Sequence, residues 1–273
     1  MMWRCVTLAL PLIVALPAAA MAQPIDLPVA PATTTEYPAG IKVAKADGVP
    51  VYVDARGRTL YGMDMRTLVR WAPDPALYCK DECTDDWEPM LAPAGSQPNI
   101  AYPKGFGNRQ RQAAPADGKP AMLQPEKAPD WTIIQGSQGP QWVYKGWHMV
   151  FIRKGEKRGS AQFDGAQDFT WNTLKFVPPV PKIEAPANVG TLLVDGQYAL
   201  TDKDGRVLFT GKCKAGCGSW VPLSGGMASR GIGNWTIAHE GERPQWLYGG
   251  KPVFVSQEAD PKTAPASATI LRP

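Results

Sequence analysis

Short runs of alternating apolar and polar residues, separated by glycine-containing turns, recur along the chain and predict β-strands. Residues 51–54 and 59–63 flank one polar turn, and residues 141–144 and 149–152 flank another. Aromatic and β-branched residues on either side of such turns favour antiparallel hairpins. No stretch sustains an apolar period of 3.6 residues over three turns, so long helices are not expected. The pattern predicts a mainly β fold with few short helices.

One ordered set of landmark residues occurs twice in the chain. The first copy contains Gly57-Arg58, Leu60-Tyr61, Cys79, Cys83, Trp87, Pro89, Trp131-Thr132-Ile133, Gln141-Trp142 and Tyr144. The second copy contains Gly205-Arg206, Leu208-Phe209, Cys213, Cys217, Trp220, Pro222, Trp235-Thr236-Ile237, Gln245-Trp246 and Tyr248. A shared order of this kind indicates two copies of one structural unit. Each copy is small for an independent core, so we expect the two antiparallel β units to pack about a pseudo-twofold axis.

The repeat sets the expected domain boundaries. Unit 1 spans residues 41–176 and unit 2 spans residues 189–273, joined by the linker 177–188, whose prolines favour an extended chain. Unit 1 carries the insertion 98–130, which we interpret as a long surface loop or lid, and its few large apolar residues favour disorder over a functional loop. Residues 23–40 are rich in Pro, Ala and Thr and are interpreted as a flexible leader.

The N-terminus has the pattern of a cleavable signal peptide. Arg4 precedes a short apolar run, and Ala20-Met21-Ala22 places small residues where a signal peptidase reads them, so residues 1–22 are expected to be removed. The sequence thus predicts a bacterial protein that is periplasmic or secreted, without a transmembrane segment after cleavage. The formal net charge of the whole chain is +4 without a concentrated basic stripe, so nucleic acid is not an expected partner.

Four cysteines remain once Cys5 leaves with the signal. In an exported chain with an even cysteine count, disulfides are the default, and we expect Cys79–Cys83 and Cys213–Cys217 to bond within each unit. Two alternatives stay open: thiol–disulfide exchange, which more commonly uses Cys-x-x-Cys, and a metal site built from thiolates. Covalent haem attachment is excluded because no histidine follows either second cysteine.

Other candidate site residues are few. Met63, Met65 and His148 could hold copper or another metal, although core packing is the simpler role for the methionines. Three tryptophans have no counterpart in the other copy and are the candidates for an exposed aromatic surface that stacks a ligand: Trp71, Trp147 and Trp171. No pair of carboxylates and no Ser/His/Asp order has a recognisable catalytic spacing, so no catalytic residue and no cofactor is predicted.

The landmarks together resemble the bacterial "secreted repeat of unknown function", which is found in predicted lipoproteins and often in tandem. The matching segments are residues 57–64, 79–89 and 141–151, and in the second copy 205–209, 213–223 and 245–255. The resemblance implies the fold and the exported location, while the activity of the family is itself unassigned. Cys5 precedes the apolar run, so the lipid-acceptor cysteine of such lipoproteins is missing here.

These observations favour an exported, non-catalytic binding or assembly protein of the bacterial envelope, stapled by disulfides, with an envelope protein or a glycan as its partner. The alternative is a periplasmic redox or metal-handling protein, of a copper type, that uses the Cys-x3-Cys pairs. An enzyme is the less favoured class.

Overall fold

The computed structural model describes residues 29–68, 74–102, 122–212, 217–239, 243–257, 264–265 and 267–273. The signal peptide 1–22, most of the insertion 98–130, Trp71 and Cys213 lie outside these ranges, and the Cys217 side chain is not described either. Within these ranges the protein is mainly β with helices of no more than five residues, which confirms the predicted fold class. No helix in the described part is both long and apolar enough to cross a membrane.

Unit 1 contains eight strands among its described residues. They are β1 (Ile41–Ala46), β2 (Val49–Asp54), β3 (Leu60–Asp64), β4 (Trp87–Pro89), β5 (Trp131–Gly136), β6 (Gly139–Tyr144), β7 (His148–Arg153) and β8 (Trp171–Thr173). Strands β1 and β2 form a separate hairpin, and the main sheet has the order β5-β6-β7-β3-β8, with β4 also paired to β7. The helices are α1 (Glu82–Asp86), the single turn α2 (Ala166–Phe169) and the 3-10 turns Met65–Thr67, Pro75–Leu77 and Pro125–Lys127.

Unit 2 has a similar strand order. Its strands are β9 (Gly190–Val194), β10 (Gln197–Thr201), β11 (Leu208–Gly211), β12 (Trp220–Pro222), β13 (Trp235–Ala238), β14 (Gln245–Tyr248), β15 (Lys251–Pro252), β16 (Phe254–Ser256) and β17 (Ala268–Ile270), with a 3-10 turn at Cys217–Ser219. Beyond the hairpin of β9 and β10, these strands form two separate sheets, β12-β16-β11-β17 and β13-β14-β15, where unit 1 has one. Strand β11 lies between β16 and β17, as β3 lies between β7 and β8. Strands β15 and β16 together occupy the place of β7, interrupted at Val253.

Each unit begins with a hairpin whose two-residue turn is Asp-Gly. Asp47 and Gly48 join β1 to β2, and Asp195 and Gly196 join β9 to β10. All four residues have positive φ, the geometry that matches the twist of the flanking strands and that glycine adopts without strain. The hairpin expected about residues 55–58 is reduced to one bridge between Val53 and Thr59, because β2 pairs mainly with β1. The hairpin of β6 and β7 and its counterpart in unit 2 are confirmed.

The main sheet of unit 1 buries apolar side chains on both faces. One face packs Tyr52, Leu60, Tyr144, Val150, Ile152 and Leu174. The opposite face packs Tyr61, Met63, Met149, Phe151 and Trp171 under Met65, Tyr78 and Trp87. Unit 2 has a large buried cluster that corresponds to the first face, made of Leu200, Leu208, Leu223, Trp235, Trp246, Val253, Val255 and Leu271. Burial of this much apolar surface is the main force that holds such sheets together.

Part of the segment expected to be a flexible leader packs on unit 1. The Lys145 ammonium donates to the Pro31 carbonyl at 2.7 Å, and the Thr33 amide donates to Asp130 Oδ2 at 2.7 Å. Further along, the Tyr37 ring lies edge-on to Tyr52, with the centroids 5.5 Å apart. Composition alone could not predict this docking, because its partners are distant in sequence. The linker 177–188 has no helix or strand and ends in a turn at residues 187–188.

Candidate functional site

An open cavity lies between the starting hairpins of the two units. It has a volume of about 660 Å³ and is open on one side. Its lining comes from β1 and β2 of unit 1, from β9 and the following turn of unit 2, and from the chain at both ends of unit 1: Val29, Val43, Ala44, Lys45, Val49, Pro50, Lys175, Phe176, Val177, Pro178, Leu193 and Gly196. The volume falls within the range of small-molecule sites, which are concave and mostly apolar.

The local fold explains why this groove is apolar and accessible. Val49 follows the Asp47-Gly48 turn, lines the groove and is 44% exposed. The Phe176 amide donates to the Pro50 carbonyl, and this bond holds the end of unit 1 against β2. On the unit 2 side, the Tyr198 hydroxyl donates to the Pro178 carbonyl at 2.9 Å. The groove is therefore formed by backbone segments that are fixed in position.

The groove carries positive charge at its edge. Among the described residues that line it, two are lysines and none is acidic. The Lys175 ammonium pairs with Asp164 at 2.9 Å, whereas Lys45 is exposed and has no ion pair with any described residue. A ligand in this groove would contact an aliphatic surface and the ammonium of Lys45, which has no ion-pair partner among the described residues.

A second, smaller cavity of about 210 Å³ lies where the linker crosses unit 2. Ile183 and Ala185 of the linker pack there against the unit 2 core, whose nearest members include Leu200 and Trp235. The linker thus completes the core of unit 2, and this cavity is a packing gap between the two.

The first predicted disulfide is present. Cys79 and Cys83 are bonded, with an S–S distance of 2.04 Å and a Cα–Cα distance of 5.1 Å. Cys79 is 9% exposed and joins the buried methionine and aromatic cluster, so the bond fixes the segment before α1 against the sheet. The pairing of Cys213 with Cys217 stays a prediction, since it falls outside the described part of the chain.

The three candidate metal ligands do not converge. Met63 pairs with Met149 across β3 and β7, and both lie with Met65 in one buried cluster. Met65 belongs to the 3-10 turn after β3 and not to the strand that contains Met63. His148 precedes Met149 on β7, and successive strand residues point to opposite faces. A Cβ added at Gly62 would lie 2.7 Å from His148 Cβ and 2.7 Å from Leu174, which places the histidine on the other side of the sheet.

His148 instead faces an acidic neighbour. Its Nε2 lies 4.0 Å from Asp64 Oδ2. Burial lowers the pKa of His148 below its ordinary value, and the attraction of Asp64 opposes this only in part. Burial alone would raise the pKa of Asp64, but hydrogen bonds from the Arg66 side chain and amide, with His148 nearby, lower it below its ordinary value. Asp64 and Arg66 therefore form an ion pair at the end of β3, and His148 adds to it only when its imidazole is protonated.

The tryptophans expected on an exposed surface are placed differently. Trp171 is 3% exposed and stacks on Trp87, with ring centroids 3.9 Å apart and planes within 5°. Its indole N–H donates to Gln167 at 2.9 Å. Trp171 is therefore a core residue, and its assignment to a ligand surface is wrong. Trp147 is half-buried against Tyr102, with centroids 5.6 Å apart, and Trp71 lies outside the described residues.

Comparison with known proteins adds no identification. No protein-family model, no curated protein and no solved structure gives a significant match to this chain. The resemblance to the secreted repeat stays a prediction that rests on the motif residues.

Sequence reasoning missed the groove residues altogether. The two hairpins that line the groove carry the same sequence signal for a turn, which is Asp-Gly between apolar runs at 47–48 and 195–196. That signal predicts two exposed hairpins in equivalent places. The meeting of one hairpin with the other depends on the path of the linker, which no local pattern specifies.

Proposed function

We propose that this protein is a non-catalytic binding protein of the bacterial envelope, and that it binds a small apolar ligand in the groove between its two starting hairpins. The observation that carries the proposal is the open cavity of about 660 Å³ with a predominantly aliphatic lining. Exposed apolar concavities of this size are more typical of binding sites than of solvent-exposed packing defects. The exported location is the expectation from the N-terminal sequence.

The placement of the other candidates supports the groove over an aromatic platform. Trp171 is committed to the core, and Trp147 is partly covered by Tyr102. The groove residues Val49 and Ala44 are exposed and have no comparable covering side chain assigned to them. A ligand would bury this surface and remove it from water, at about 25 cal/mol for each Å² of apolar area.

A redox or metal-handling role has weaker support. Cys79 and Cys83 are already joined, and Cys79 is largely buried, which limits access by a thiol substrate. The thioether and imidazole candidates lie on opposite faces of one sheet. Thiol titration after brief treatment with a low concentration of dithiothreitol would separate the two roles, because a structural disulfide resists this reductant and a redox-active one is reduced to two free thiols.

The experiment is a titration of the mature protein with a neutral naphthylamine fluorophore, whose emission rises in apolar surroundings. We expect a single saturable site. The variant Val49→Trp should abolish that binding, because Val49 lines the groove and is 44% exposed, so a bulky side chain there would occupy the groove. The matched control is Thr236→Trp, an exposed strand position in unit 2 that does not line the groove.

Two results would contradict the proposal. One is the absence of saturable binding by the unmodified protein. The other is equal loss of binding in both tryptophan variants, since this would place the fluorophore elsewhere. Circular dichroism of each variant would establish that the loss does not come from unfolding.

A further inference from the structure

We infer that the groove ligand is an amphiphile with an alkyl chain and a single carboxylate, and that Lys45 binds the carboxylate at the edge of the groove. This inference rests on the proposed function and adds the chemical class of its ligand.

The alkyl part of the ligand follows from the shape of the side chains in the groove. Valine, leucine, alanine and proline dominate the lining, and Phe176 is its only aromatic residue. Aromatic partners in stacked or edge-on geometry would add to the binding of a flat ring system beyond its apolar contact area, and a single phenyl ring adds little of this kind. A flexible aliphatic chain requires only apolar contact, and the walls formed by Val43, Val49 and Leu193 provide it.

The anionic part follows from the charges that surround the groove. A cationic ligand would meet two lysines and no acid in the lining. A wholly neutral ligand would make no use of the Lys45 ammonium, which is exposed at the edge of the groove. A carboxylate bound to Lys45 balances that charge, and charge-assisted hydrogen bonds of this type are stronger than neutral ones.

Lys45 is assigned this role and Lys175 is not, because the two lysines differ in their existing partners. The Lys175 ammonium lies 2.9 Å from Asp164 and is 25% exposed, so its charge is already balanced. Lys45 is exposed on β1 next to Ala44 and pairs with no carboxylate of the described residues. The geometry therefore places the head group towards β1, and the alkyl chain towards Pro178 and Leu193.

The test is displacement of the naphthylamine fluorophore by two ligands of matched chain length, decanoate and decanol, each below the concentration at which it aggregates. We expect decanoate to bind about fivefold more tightly than decanol, the effect of one solvent-exposed ion pair. The variant Lys45→Met should remove that preference while it leaves the affinity for decanol unchanged. Lys42→Met is the matched control, since Lys42 is exposed on the same strand but does not line the groove.

The outcomes separate this inference from the function beneath it. Equal displacement by decanoate and decanol would overturn the carboxylate class and leave the apolar groove intact. An equal effect of Lys42→Met and Lys45→Met would overturn the role of Lys45, because it would indicate general surface charge. Failure of both ligands to displace a fluorophore that does bind would overturn the alkyl class. Failure of the fluorophore itself, with a dimer in sedimentation, would show that a second copy covers the groove and would overturn the proposed function as well.

Discussion

Asp54 in unit 1 and Asp202 in unit 2 make the same set of hydrogen bonds. In each case one carboxylate oxygen accepts hydrogen bonds from the backbone amides of the residues two and four positions later in the chain. The other oxygen accepts a hydrogen bond from the side-chain Nε of Arg58 or Arg206, at 2.8 Å. The correspondence extends to the sheets, where Gln141 donates to the Val150 carbonyl and Gln245 donates to the Val253 carbonyl. The repeated residues therefore specify turns and sheet register.

The two units differ in what packs on the second face of the sheet. In unit 1, Trp171 lies opposite Met63 and stacks on Trp87, and Arg153 lies over the Trp87 ring at 5.3 Å. In unit 2 the equivalent strand position is Ala268, which pairs with Gly211. Trp220, the counterpart of Trp87, contacts Phe209 and Phe254 instead.

This difference divides the core-forming residues into two layers. One layer, present in both units, forms the strands and the first apolar face. The other layer is particular to unit 1 and forms a second core from residues that flank its insertions, including Met65, Tyr78 and the Cys79–Cys83 disulfide. Substitutions in the second layer should therefore destabilise unit 1 strongly and have no equivalent in unit 2.

The largest effect is expected from Trp171→Ala, which gives unit 1 the residue that unit 2 has at this position. Loss of a buried tryptophan leaves a cavity beside Trp87, and such changes lower the free energy of unfolding by about 3–5 kcal/mol. Urea denaturation followed by circular dichroism would measure the change.

The control for this change is Phe169→Ala, two residues away on a ring that is 38% exposed. We expect it to cost less than about 1 kcal/mol, since surface substitutions away from buried contacts have small effects. A Trp171→Ala protein as stable as the Phe169→Ala protein would mean that the second core layer does not support unit 1.

An intermediate effect is expected from the matched pair Asp54→Asn and Asp202→Asn. Asparagine keeps an oxygen for the two backbone amides but loses the charge that pairs with Arg58 or Arg206, and the two salt bridges are similarly buried. Each change should lower the free energy of unfolding by about 1 kcal/mol, the net worth of one such hydrogen bond. Asp204→Asn is the control, because that carboxylate is half exposed and should contribute little.

Unequal costs would break the comparison. If Asp54→Asn were strongly destabilising while Asp202→Asn had no effect, the shared hydrogen bonds would carry weight in unit 1 alone. The repeated turn in unit 2 would then reflect sequence similarity without a contribution to stability.

The sequence predicted features that depend on near neighbours. The hairpin of β6 and β7, its counterpart in unit 2 and the Cys79–Cys83 disulfide all follow from residues close together in the chain. The structure departs from prediction where distant segments meet. Trp171 looked exposed because it has no repeat partner, yet its partner is Trp87 in the same unit.

The candidate site shows the same limit. Val43, Lys45 and Leu193 come from hairpins about 150 residues apart, and the groove exists only because the linker brings those hairpins together. Periodicity reports which face of a strand is apolar, but it does not report which other surface that face meets. Aliphatic residues in the groove also resemble ordinary core residues when they are read along the chain.

The smallest effect is expected from the pH dependence that His148 adds to unit 1, for which unit 2 has the exposed Lys251 at the equivalent place. Burial lowers the pKa of His148 in the folded protein, so folding favours the neutral imidazole. The unfolded chain has the ordinary value of about 6.5, and stability should be complete above that pH and decrease as the pH falls towards the lower folded-state pKa.

Urea denaturation at a series of pH values should show this decrease in the unmodified protein and a flatter profile in His148→Gln. The carboxylate of Asp64, whose folded-state pKa is also lowered, should act in a separate window below about pH 4. His239→Gln, at an exposed position in unit 2, is the control and should leave the profile unchanged. Identical profiles for the His148→Gln protein and the unmodified one would mean that unit 1 has no pH-sensitive contact that unit 2 lacks.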